Sequence, residues 1–388
     1  MENMDKNVSV IIDDFKDIID IKVKEYIKYF IETLIKAEID EYLEENTGIK
    51  NGYYERDINT KYGNIDDLRI PRERDNNFHT KLFPSYKRNI GIEDMIISMY
   101  SKGVSTRKIG KVIEEIYNYS LSRSSVSRIT DIVKPGIDKW NNRRLNKRYI
   151  AIYIDALFIN IRRDTVEKEA VIFALGARDD GYYEILGFYI NPKETHYQYG
   201  EVLNDLYKRG VEESLLFITD GLKGIEEEIE LIYPKSDFQL CTIHMTRYIK
   251  SRVRSSDRDK IVKDLNNIFF SNNKEEAIKG MDNFKDKHNE KYPEIIKTLY
   301  NHQGALLRYF DYPEPIRRSI KSTNIIERLN KETRRRTKII DSFPSLESTE
   351  KILYLRSIEV NNEWSQRVMR GYFKCNYEIQ EMFQRRYV

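Results

Sequence analysis

The run YIAIYIDALFINI, Tyr149–Ile161, is apolar on both of its alternating faces, as a strand covered on both sides of a sheet must be. Asp155 stands in the middle of it. A second buried-strand run, Ser214–Thr219, ends directly on Asp220 and Gly221. An ionised carboxylate in low-dielectric surroundings is costly unless something compensates it, so folding alone explains neither aspartate. The pattern predicts a divalent cation as the compensating partner.

The segments around these two runs predict an α/β class. Glu169–Arg178 (EAVIFALGAR) and Tyr182–Ile190 (YYEILGFYI) read as strands joined by a turn at Asp179, Asp180 and Gly181. A helix from His196 to Arg209 should end at Gly210, a second should follow Asp220 to about Ile232, and Phe238–Leu240 reads as a last short strand. In open sheets of this kind chemistry gathers at strand ends, where Asp220 sits. Residues 242–318 turn helical and charged, with no strand of any length.

A third carboxylate follows, Glu327 in STNIIERLNKETRRRTK. It lies 107 residues beyond Asp220, whereas Asp155 and Asp220 are 65 apart, so a helical insertion separates it from the other two. Asn324 and Glu327 have the spacing of a capping box. Ile325, Ile326 and Leu329 form the apolar stripe of that helix, and at about 100° per residue Glu327 points away from it.

Charge is distributed unevenly. Residues 1–46 carry thirteen acidic side chains against six lysines, a local net of −7 in a chain whose total is +3, so the remainder is basic. Basic clusters fall at Lys134–Arg148, Arg247–Lys263 and Arg328–Lys338; each alone fits a solvated surface, but together they favour a polyanion partner. The acidic region, 1–46, reads as amphipathic helix, and 47–84 as a small β-rich element or linker punctuated by Gly48, Gly52, Gly63, Pro71 and Pro84. Within 85–147, three helical pieces with Ser105 and Ser122 or Ser124 as caps and Gly103 as a stop fit a helix-turn-helix; an ordinary three-helix packing unit fits the same pattern. Two cysteines and no membrane-length apolar run point to a soluble protein of a reducing compartment, cytoplasmic and associated with the nucleoid.

The runs IDALFINIR, ITDGLKGIEE, QLCTIHMTRYIK and STNIIERLNKETRRRTKIIDSFPS resemble the signature blocks of the Mutator-type transposases of bacterial insertion sequences. GVSTRKIGKVIEEIY with LSRSSVSRITD resembles their DNA-binding region, and NGYYERDINTKYGNIDDLRIPRERDNNF the block before it. The resemblance implies a ribonuclease H-like mixed sheet, built from 148–241 and 319–345, with an all-helical insertion at 242–318, a helical DNA-binding region before it and a helical region, 346–388, after it. It implies a catalytic and metal-binding triad of Asp155, Asp220 and Glu327. The family's C-x-x-H element falls on Cys241 and His244, for which zinc is an alternative that lacks a second ligand pair; a structural or DNA-adjacent role is favoured. Relatives tend to carry tryptophan late in the insertion where this chain reads TLYNHQGALLRYFDYP, leaving Tyr300 or Tyr309 as substitutes.

Three such carboxylates suit two Mg²⁺ ions, with Mn²⁺ as a substitute, that activate the attacking oxygen and stabilise the leaving oxygen of an in-line phosphoryl displacement. Water would attack first and free a 3′ hydroxyl, which would then attack a second phosphodiester. The expected partner is double-stranded DNA, as terminal inverted repeats and as target, with a homodimer or larger assembly holding two ends. Candidate DNA contacts are Arg107, Arg123, Ser124, Ser127, Arg128, Arg162, His244, Arg247, Asn324, Arg328, Arg334, Arg335, Arg336 and Lys338. A metal-dependent nuclease without strand transfer, or a DNA-binding regulator that needs no triad, are the alternatives.

Overall fold

The computed structural model describes residues 22, 24–29, 31–40, 42–43, 48–60, 63–74, 78–80, 92–117, 122–163, 165–192, 195–340 and 342–387. The chain divides into two units, Met1–Ile132 and Val133–Val388.

In the first unit, residues 24–29 and 31–40 are helical (α1) and lie on an antiparallel hairpin of β1 (Lys50–Thr60) and β2 (Gly63–Glu73). Their shared core is Ile35, Ile39, Ile58, Ile65, Leu68, Ile70 and Phe78, so the stretch left open between a β-rich element and a linker contains a packed hairpin. The first 21 residues of the acidic region lie outside the described residues. Three helices follow, α2 (Ile92–Ser101), α3 (Thr106–Tyr117) and α4 (Arg123–Thr130). Gly103, at φ +85°, ends α2, because a left-handed residue there costs a glycine little. Ser122 caps α4 by accepting from Ser125 N at 3.1 Å. Ile96, Ile109, Ile113 and Val126 are fully buried among the three helices.

The second unit opens with α5 (Lys134–Asn141) and is built on a mixed sheet. Its strands are β3 (Arg148–Arg162), β4 (Val166–Arg178), β5 (Tyr183–Asn191), the two-residue β6 (Glu213–Ser214), β7 (Leu216–Thr219) and β8 (Asp237–Leu240). The order is β5-β4-β3-β7-β8, with β6 also paired to β3; β3, β4 and β5 run antiparallel, whereas β7 and β8 run parallel to β3. Tyr149–Ile154 are all essentially inaccessible, as their two-faced apolarity requires. Helices α6 (His196–Lys208) and α7 (Ile225–Ile232) supply the parallel crossovers.

A helical insertion then runs through α8 (Thr242–Arg252), α9 (Arg258–Phe269), α10 (Lys274–His288), α11 (Pro293–Asn301), the short α12 (Gln303–Leu306) and α13 (Glu314–Ile320). The chain returns as α14 (Asn324–Ile340), and Phe343 adds itself beside β3, exchanging hydrogen bonds of 2.9 Å with Asn160 and Arg162. Two further helices, α15 (Leu346–Trp364) and α16 (Asn376–Tyr387), complete the unit.

Gln239 of β8 fastens the insertion to the sheet. It is fully buried, its amide donates to Leu306 O at 3.1 Å and its carbonyl oxygen accepts from Tyr309 N at 2.7 Å. Removing it strands two buried backbone groups at about 1–3 kcal/mol each. Gln239→Ala is therefore expected to lower stability by about 2–6 kcal/mol, read as a shift of the urea unfolding midpoint. Tyr309 itself is 2% exposed and donates to Phe269 O, which removes it as a base-stacking substitute; Tyr300 remains half-buried and bonded to Asp282.

Candidate active site

The register of the parallel strands sets the first two carboxylates. Tyr153 of β3 stands beside Ile218 of β7, and two residues further along each strand are Asp155 and Asp220. Equal steps along parallel strands keep side chains on one face, so Asp220, just past the end of β7, comes level with Asp155 in the middle of β3, on strands about 4.8 Å apart. Gly221, at φ +86°, then turns the chain away, and a side chain there would collide with Leu240.

The third carboxylate comes from α14. Ile326 and Leu329 are fully buried, whereas Ile325, expected in the same apolar stripe, is only half-buried and lines a pocket on another face. Asn330, one turn beyond Glu327, donates Nδ2 to Asp155 Oδ2 at 2.8 Å, and this bond docks the helix onto β3. Glu327 does not close the capping box that its spacing suggests. Its two oxygens each accept from Arg247, at 2.8 Å and 2.8 Å, a bidentate pair that outcompetes a cap.

Behind Glu327 lies the C-x-x-H element. Cys241, fully buried, accepts from both the backbone N and Oγ1 of Thr323 at 3.3 Å, and Thr323 Oγ1 also lies 3.3 Å from His244 Nδ1. His244 Nε2 faces Glu327 Oε1 at 3.5 Å. Cys241, His244 and Glu327 thus offer ligand atoms within 4.8 Å of one another. The third partner of the pair is a carboxylate, not another cysteine or histidine. Sequence reasoning missed Thr323 and Asn330; their only signal is position, one residue before α14 and one turn after Glu327.

Burial, followed by the neighbouring charge of Asp220, pushes the Asp155 carboxyl up to about 7, with His244 opposing. Burial also raises Asp220, again against His244. For His244, burial acts downward but is outweighed by Cys241, Asp155 and Glu327, which bring it up to about 9. The site is an acidic cluster held partly in check by one imidazolium and one guanidinium. Asp220 Oδ1 is buried and has no hydrogen-bond partner, and the same is true of Asn330 Oδ1.

The remaining candidate contacts are dispersed. In the first unit Arg123, Ser124, Ser127 and Arg128 share the exposed side of α4, and Arg107 is exposed on α3. In the second unit Arg162 is exposed at the end of β3, and Asn324, Arg328, Arg334 and Arg335 are exposed on α14. Arg336 and Lys338 belong to that helix, but their side chains lie outside the described residues. Arg247 and His244 are engaged with Glu327.

A family model described as "Transposase, Mutator family" matches residues 2–367. The chain is 35% identical over 335 residues to the transposase for insertion sequence element IS905 of Lactococcus lactis subsp. lactis, covering 86% of this chain and 85% of that protein. It is 32% identical over 368 residues to the transposase for IS1201 of Lactobacillus helveticus, covering 92% and 99%. With the transposase for IS256 in transposon Tn4001 of Staphylococcus aureus it shares 31% identity over 348 residues, 85% of each chain. A match of this extent makes the chain a member of the Mutator family of transposases.

Proposed function

We propose that this protein cuts DNA at the ends of an insertion sequence and joins the freed ends to target DNA by metal-dependent phosphoryl transfer at Asp155, Asp220 and Glu327. The observation that carries this reading is the buried, partnerless Asp220 Oδ1 beside a second carboxyl, Asp155, raised by burial and then by its acidic neighbour. Both are hard oxygen donors in an electrostatically unsatisfied site, which fits Mg²⁺ or Mn²⁺. Cys241 and Glu327 are by contrast satisfied within the protein, by Thr323 and Arg247, which disfavours zinc at the C-x-x-H element. Three antiparallel strands followed by two parallel ones support reading the sheet as a ribonuclease H-like core.

Asp155, Asp220 and Glu327 would hold two ions, whose chemistry when bound is activation of the attacking oxygen and stabilisation of the leaving one. Asn330 fixes the carboxylate plane of Asp155. Arg247 holds Glu327 over the site in the metal-free state and, once released, offers its guanidinium to a DNA phosphate. The exposed side of α4 would read terminal inverted repeats, and pairing two ends calls for a homodimer or larger assembly. Among the described residues no helix is long and apolar enough to cross a membrane.

The test is incubation of the purified protein with duplex carrying its element's terminal sequence, with Mg²⁺ or Mn²⁺, beside Asp155→Ala. Metal-dependent nicked and joined products from the wild type alone are expected. Equal products from both proteins would defeat the proposal, nicks that never join would reduce it to a nuclease, and binding without cleavage would leave a regulator.

A further inference from the structure

Four arginines, Arg318, Arg328, Arg367 and Arg370, line one open pocket of about 270 Å³ in the second unit, with Ser322 and Asn324 beside them. They converge from three segments: α13, the start of α14, and the stretch that follows α15. No acidic residue lines the pocket, and among the described residues none of the four guanidinium groups has an ion-pair partner. All four are exposed, and like charges gathered around one concavity repel, a repulsion that an anion seated among them would offset.

The backbone of this wall is held independently of the arginine side chains. Val368 bridges to Tyr182, Met369 N donates to Gly181 O at 2.8 Å, Tyr183 N donates to Arg367 O at 3.2 Å, and Ser319 Oγ donates to Arg370 O at 3.2 Å. The guanidinium groups are thus presented on a fixed frame. Their planar forks match phosphate oxygens, and the seventeen-residue α14 adds its N-terminal dipole at Asn324. The volume falls below the ~300–1,000 Å³ of sites that enclose drug-sized ligands, which suits one phosphate with part of its sugar.

Asn324 and Arg328 reach this pocket from one face of α14, while Glu327 and Asn330 turn to the carboxylate site from another. We infer that the pocket binds a backbone phosphate of the DNA strand near the scissile one and so sets which phosphodiester lies at the carboxylates. The inference deepens the strand-cleavage reading and rests on it for the identity of the DNA.

The experiment uses the full-length protein, chelator to prevent cleavage, and a fluorescent duplex carrying the terminal repeat, with anisotropy followed over a range of salt. Arg367→Ala/Arg370→Ala is expected to bind about tenfold or more weakly near 0.1 M salt. The slope of log affinity against log salt should fall by about one for each phosphate that the variant no longer neutralises, and the double lysine variant should keep most of the slope. Affinity and slope equal to wild type would overturn the inference. So would an unchanged DNA slope together with inorganic phosphate raising the unfolding temperature of the wild type but not of the alanine variant, because the pocket would then serve a small anion. Should the double variant unfold, Arg318→Ala repeats the measurement from another element. Wild type that never nicks DNA, yet loses slope on arginine removal, would sink strand cleavage and leave this phosphate site standing.

Discussion

Asp155→Asn is expected to make the metal-free protein more stable at pH 8 and, in the same molecule, to lower strand cleavage by ~10³-fold or more. The carboxyl ordinarily ionises at 3.8 but is raised to about 7 in the folded chain, by burial first and by Asp220 second. Between those values the folded chain holds a proton that the unfolded chain has released, so stability falls as pH rises through the window. The full cost, on the order of 4 kcal/mol, is present above about pH 7 and absent below the ordinary carboxylate range. Asparagine removes the charge and keeps an oxygen for the Asn330 amide. Thermal or urea unfolding with chelator should show the variant ahead at pH 8 and the gap closing toward pH 4. No difference at pH 8 would mean that neither burial nor Asp220 penalises the ionised Asp155.

Gly371→Ala is expected to cost about 3 kcal/mol or more, lowering the unfolding midpoint by roughly 6–12 °C. Gly371 sits at φ +91°, where a side chain is already strained, and an added Cβ would be driven into the backbone carbonyl of Pro315. Backbone cannot swing aside as a side chain can, so α13 and the segment carrying Arg367 and Arg370 must part. Tyr372 next to it closes over Gly181 and donates to Asp179 O at 2.7 Å, so the displacement would reach the β4–β5 turn. Differential scanning calorimetry measures the shift. A midpoint within 2 °C of wild type would show the close approach to be relieved without strain.

Strands declare themselves through burial, and that made most of the sheet readable. Two-faced apolarity marked β3, and a buried run ending in Asp-Gly marked the turn at Asp220; both depend on local pattern alone. Glu327 was visible as a polar position on an amphipathic helix, but its partner was not. A capping box needs only two residues three apart, while Arg247 comes from 80 positions away, and no local pattern carries that pairing. Ile325 was misassigned to the core for a related reason: hydropathy does not say that the facing wall is a charged pocket. Arg328 stood out in a basic cluster, but the pocket as a unit was invisible, because Arg318, Arg367 and Arg370 are ordinary surface residues until the fold brings them to it.

The neck of the helical insertion has a consequence for chain length. At its entrance and exit, Thr242 N and Oγ1 both donate to Lys321 O, at 3.1 Å and 3.0 Å, and Thr323 closes on Cys241. With the two ends tied like a drawstring, lengthening the loop between them costs only about 0.6 kcal/mol per doubling. Helices can therefore be gained or lost beyond the knot while the spacing of the three acids, fixed on the near side, stays as it is.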